Sequence, residues 1–148
     1  MKIATLKSAL SVLTGTSILQ VTFDLNKHLS NGNTSQLYPG IIWNFNTARF
    51  SKDFRTSTIQ VEKPYTATVF IVINFDPTIE SEDQKLAKWD LCEGYFATYI
   101  NKMNETDKLQ IVGINELKGQ YIPEGVMESR KEIGIMFENV TLKTWCNG

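Results

Sequence analysis

Five consecutive apolar residues, Val69-Phe70-Ile71-Val72-Ile73, lie inside the run Tyr65–Phe75 and constrain the fold more than any other stretch. Side chains on a strand alternate between faces, so a strand without polar alternation is one covered on both faces. The run is short and β-branched, and Asp76-Pro77 ends it, which favours a strand over a buried helix. The chain is therefore expected to form here a strand packed on both of its faces.

The remaining elements are read outward from that strand. Tyr38–Phe45 carries Ile41, Ile42, Trp43 and Phe45 behind Pro39 and predicts a second strand ending near Asn46. Asn46–Lys63 is polar, with Arg49, Phe50, Phe54 and Arg55 interspersed, and reads as a long loop in which Ser57–Val61 adds at most a short strand. Ser81–Met103 predicts the long helix, with Leu86, Trp89, Phe96, Ile100 and Met103 on three- and four-residue steps and Glu93 interrupting the apolar face. Ser81 and Gln84 supply its N-cap and capping box. Leu109–Ile114 reads as a strand, and Lys118–Lys131, with Gly119, Pro123 and Gly125, as a second long loop. In Glu132–Trp145 the apolar positions are odd at Ile133, Ile135 and Phe137, then even at Val140 and Leu142. That change of parity predicts a β-bulge near Glu138 and Asn139.

At the other end, Ile3, Leu6, Leu10 and Leu13 form a helical stripe, and Lys7 argues against a signal peptide there. Ser17–Leu29 fits either period: Leu19, Val21, Phe23 and Leu25 alternate, while Ile18, Val21, Leu25 and Leu29 repeat helically, and the helix is preferred. Ser30–Gln36 reads as an exposed loop. The expected architecture is one α+β domain, a small mixed sheet of about four strands with helices packed on one face. A helix crossover between Tyr65–Phe75 and Leu109–Ile114 permits a parallel pair.

Composition narrows function mainly by exclusion. The 148 residues hold 15 basic and 16 acidic side chains, so no global field draws the protein to nucleic acid or an anionic membrane. Arg49, Lys52 and Arg55, and Arg130 with Lys131, are short basic elements best read as solvated loops. No apolar run reaches the ~18 residues of a membrane span. Cys92 and Cys146 are read as reduced thiols of a cytosolic protein, and the sequons at Asn33, Asn104 and Asn139 as chance. His28 is the only histidine, which excludes a histidine-based metal cluster. Glu80, Glu82 and Asp83 suit a helix start rather than a carboxylate pair, and no phosphate-cradling glycine loop occurs. Trp43, Phe45, Phe50, Phe54 and Tyr65 interleave with Arg49 and Arg55 as a single-strand-binding surface would, although membership of the core is the preferred reading. No cofactor and no enzymatic activity are expected.

The order of elements resembles the tail-terminator and tail-completion proteins of tailed bacteriophages, which form head-tail joining rings. The likeness is carried by the helical N-terminus leading to Tyr38-Pro39 and Ile41-Ile42-Trp43, the strand Val69–Phe75, the helix Glu82–Met103 and the last strand ending Val140-Thr141-Leu142-Lys143-Thr144-Trp145. It implies a tail-terminator-like fold and a structural virion protein, made in the host bacterial cytoplasm. The chain would form a six-fold or twelve-fold homo-oligomeric ring at the head-tail junction or in the tail. Its partners would be neighbouring connector, portal or tail proteins, with non-specific contact to DNA in the ring lumen and none to membrane. Two different patches are needed for a head-to-tail ring, and the two long loops supply them. The contact residues expected there are Arg49, Phe50, Phe54 and Arg55 in the first loop, and Tyr121, Ile122 and Arg130 in the second. The competing reading is a small soluble module holding a ligand or peptide between the long helix and the sheet; a carboxylate hydrolase or transferase is a third.

Overall fold

The apolar run lies in the middle strand of a six-stranded sheet. The structure, a computed structural model, describes Leu10 and residues 17–23, 37–53, 58–105, 109–112, 118–123 and 131–144, with backbone alone for 46–53, 58–64, 109–112 and 143–144. The strands are β1 (Gln20–Thr22), β2 (Gly40–Asp53), β3 (Thr58–Asn74), β4 (Leu109–Val112), β5 (Gly119–Ile122) and β6 (Glu132–Thr144). Their spatial order is β1-β2-β3-β6-β4, and β5 also pairs with β6. One helix, α1 (Glu82–Asn104), follows β3. The α+β class and mixed sheet are as expected, and the strand count is larger.

Both faces of β3 are buried, as the run requires. Val69, Ile71 and Ile73 join Ile41, Trp43, Ile133, Ile135 and Phe137 beneath α1, whereas Phe70 and Val72 join Ile42 and Ile122 on the opposite face. Burying each such side chain contributes ~1.5–3 kcal/mol. α1 presents Cys92, Phe96, Tyr99, Ile100 and Met103 to the first cluster. Its start is the expected capping box, with the Ser81 hydroxyl accepting from the Gln84 amide and the Gln84 side chain accepting from the Ser81 amide. The apolar face is rotated from the expected one: Leu86 is 51% exposed and Trp89 only partly buried. Leu10 is helical and fully buried in the same cluster; the rest of the expected N-terminal stripe lies outside the described residues.

The bulge is where the parity change puts it. Ala67 faces Val140 and Val69 faces Phe137, so Glu138 and Asn139 together oppose Thr68, and Asn139 takes φ 56°. Asparagine tolerates that left-handed conformation better than most residues.

Four expectations are corrected. Ser17–Leu29 begins with β1 rather than a helix, because Gln20, Val21 and Thr22 pair in parallel with Gly40, Ile41 and Ile42, and this tertiary ladder overrides an ambiguous local period; residues 24–29 lie outside the described residues. The parallel pair is therefore β1 with β2, and β3 does not touch β4: β2 and β6 occupy both edges of β3, and β4 and β5 share the far edge of β6. The flanking strands pair as the expected antiparallel hairpin, but the long loop expected over Asn46–Lys63 is mostly strand, since β2 runs to Asp53 and β3 starts at Thr58. The loop expected over Lys118–Lys131 contains β5, antiparallel to β6 through Gly119–Phe137 and Ile122–Gly134.

Candidate subunit-contact surfaces

The hairpin outruns the rest of the sheet. β6 last pairs with β3 at Tyr65–Leu142, whereas β2 and β3 continue pairing from Arg49–Glu62 to Asp53–Thr58. The departure point is written in the sequence. The register shifts between Ala48 and Arg49 of β2, where Lys63 and Pro64 stand opposite without ladder partners, and Pro64 has no N–H to give. A second shift between Phe45 and Thr47 adds to the bend. Beyond it the two strands form an arm of five paired positions, ~17 Å long at ~3.4 Å per residue. Among the described residues no third strand pairs with the arm, and two-stranded ribbons are marginally stable by themselves. Arg49 and Phe50 lie on this arm; Phe54 and Arg55 lie outside the described residues.

A second surface forms where α1 overhangs β5. Gly119 lets β5 approach closely, for a Cβ there would stand 2.7 Å from Phe137 Cε1 and 2.9 Å from Ile135 Cγ2. Two residues on, the Tyr121 ring lies 4.8 Å from Trp89, and its hydroxyl donates to Glu93 Oε1 at 2.5 Å. That bond, reinforced by the charges of Glu93 and Asp90, holds the Tyr121 phenol above its ordinary pKa. Tyr121 is still half exposed, and beside it a cleft of about 230 Å³ is lined by Glu93, Gly119, Tyr121, Ile135 and Phe137. The volume is below the range of ordinary small-molecule sites. Ile122, expected as a contact residue, is instead 5% exposed in the second-face cluster, because the alternation that turns Tyr121 to α1 turns its neighbour to the other side. Arg130 lies outside the described residues. The sequence missed Leu86 as a surface residue; the exposed positions at three- and four-residue steps beside it were the available signal.

The β3–α1 corner is a polar groove of about 530 Å³ whose lining includes Asp76, Ile79, Glu80, Lys88 and Lys131. Its charges satisfy one another. Thr78 donates to Asp76 through its hydroxyl at 2.7 Å and its amide at 3.0 Å, and Lys131 Nζ lies 3.1 Å from the same carboxylate. Lys88 Nζ sits 2.5 Å from Glu80 and donates to the Asn74 carbonyl at 2.6 Å. The Thr78 hydroxyl bond, then its amide, then Lys131 hold the Asp76 carboxyl at about 2. A folded-state pKa below the unfolded value of ~3.9 gives stability that is present above about pH 4 and lost as pH falls through about 2. Melting temperature measured against pH should therefore fall over that interval, and Asp76→Asn should flatten part of the fall; equal slopes in both proteins would remove this corner from the acid response.

The reactive groups Cys92 and Glu132 are shielded or paired. Cys92 is fully buried, and desolvation, with the Glu93 charge second, pushes its thiol up to about 12. A thiol so rarely ionised is a poor nucleophile, so a disulfide reagent should label Cys92 only on unfolding; rapid labelling at Cys92, located by peptide mass mapping of the folded protein, would contradict its burial. Trp43 and Tyr65 are core residues and Phe45 packs against that core, as the preferred reading of these three expects. Glu132 is fully buried and accepts a hydrogen bond from the Tyr38 phenol, a link reaching across β2, β3 and β6. Among the described residues no cluster of three metal-ligating side chains occurs, and no helix is long and apolar enough to cross a membrane. His28 and Cys146 lie outside the described residues. Compared with protein-family models and with curated proteins, the sequence matches none.

Proposed function

We propose that this chain is a structural virion protein, a protomer of a ring in the head-tail connector or tail of a bacteriophage, of the tail-terminator or tail-completion kind. It acts through contacts between subunits and with neighbouring portal, connector or tail proteins, without a cofactor and without chemistry of its own. The observation that carries the reading is the arm: a β-ribbon extended past the last strand that supports it needs a surface to lie on, and in a ring that surface belongs to another subunit. Exposed Leu86 and Tyr121 on a different part of the molecule fit the second patch that head-to-tail assembly requires. The resemblance in element order supplies the virion setting.

The test is direct. Purified protein, alone and mixed with portal or tail components, is examined by sedimentation and electron microscopy for ring-sized species. A protein that stays monomeric and binds none of those components would overturn the proposal. Six-fold or twelve-fold symmetry would be read from the same images.

A further inference from the structure

One flank of α1 has the chemistry to receive the arm. Asp83, Leu86, Asp90, Glu93 and Ala97 follow one another at steps of three and four, so they share one side of the helix, and all are exposed. The Tyr121–Glu93 bond places that side above β5. Its apolar part, Leu86 and Tyr121, is about half exposed, with Trp89 between helix and strand. Its margin is acidic, and among the described residues neither Asp83 nor Asp90 joins an ion pair. An apolar strip with an unneutralised acidic margin calls for a basic, partly apolar occupant.

Residues 46–63 answer that description. They carry Arg49, Lys52, Arg55 and Lys63 against Asp53 and Glu62, a surplus of two positive charges (four minus two), together with Phe50 and Phe54, in a chain whose net charge is -1. The dimensions agree as well. The arm's five paired positions span ~17 Å, and the ten steps from Asp83 to Glu93 span ~15 Å of helix at ~1.5 Å each.

We infer that the β2–β3 arm of one copy docks on the α1–β5 flank of the next, over Leu86, Trp89 and Tyr121, with the arm's cations against Asp83 and Asp90. The inference rests on the ring reading and names the contact that builds the ring. Because arm and flank are different surfaces, each copy offers one of each, and the contact repeats head to tail.

Charge reversal on either side tests it in the full-length chain. Asp83→Lys with Asp90→Lys, and separately Arg49→Glu with Lys52→Glu, should each reduce the assembly to monomers by native mass measurement. Unchanged near-ultraviolet circular dichroism and melting temperature would show that the variants fold. Mixing the two variants in equal amounts places reversed arm on reversed flank and native arm on native flank, and should restore the wild-type mass. Raising the salt concentration should weaken the wild-type assembly. If both variants keep the wild-type mass, or if the mixture stays monomeric, the arm–flank contact is wrong while rings of wild-type protein would still uphold the ring reading. A wild-type chain that is monomeric at every concentration also overturns the contact, and the ring reading then stands or falls on binding to portal or tail components.

Discussion

Gly134→Ala is expected to cost about 3 kcal/mol or more, the upper end of what overpacking does, and so to leave this chain largely unfolded or close to it. A Cβ on residue 134 would stand 2.2 Å from the carbonyl oxygen of Ile71, and that oxygen belongs to backbone. Ile71 has no room to retreat, because it is paired with Ile41 on one side and Ile135 on the other. Urea unfolding measures the effect as a lowered midpoint at unchanged slope. Gly94→Ala is the control: nothing lies within 4 Å of where its Cβ would stand on the exposed side of α1, and removing a helix glycine should stabilise by up to ~1 kcal/mol. A Gly134→Ala protein with a wild-type midpoint would mean that β3 and β6 are not held at this spacing.

Trp43→Ala is expected to cost ~3–5 kcal/mol, as deletion of a large buried aromatic does. Trp43 is fully buried, its ring 5.8 Å from Phe45 and 6.2 Å from Tyr99. Its indole N–H donates to the Tyr99 hydroxyl at 3.1 Å, which donates in turn to the Leu10 carbonyl at 3.2 Å. One chain of hydrogen bonds thus ties the N-terminal segment to β2 through α1. Tyr99→Phe separates packing from polarity, since it keeps the ring and strands the Trp43 N–H and the Leu10 carbonyl, at a cost of ~1–3 kcal/mol. Calorimetry of both variants checks the ordering; a Trp43→Ala loss no larger than that of Tyr99→Phe would show that the ring's packing contributes little.

Much of this architecture is legible in the sequence where burial on one face leaves a period behind. The five-residue run placed β3, the parity change placed the bulge at Glu138–Asn139, and Ser81 with Gln84 placed the start of α1. What escaped were strands whose sequence has no buried period to display. The arm reads as loop because polar residues dominate 46–63, with Ser57–Val61 expected as at most a short strand, and β5 is Gly-Gln-Tyr-Ile with its first three residues exposed. β1 pairs over only three residues, too few for alternation to outweigh a helical spacing in the same stretch. The contact surfaces were half legible for the same reason. Aromatic and basic residues in 46–63 marked that segment as unusual, but its being an arm depends on where β6 stops. Tyr121 is exposed and Ile122 buried, a difference that a loop reading does not anticipate because it assigns no faces, whereas a strand sends neighbours to opposite sides.

The position of β6 in the order of synthesis has a cost for the cell. β3 is complete by Asn74, yet the strand that covers its open side begins only at Glu132. While the intervening segment is being translated, the nascent chain holds a long apolar strand with one side unpaired, the kind of template on which polypeptides stick to one another. A ribosome-bound fragment ending before Glu132 should therefore engage chaperones that release the finished protein.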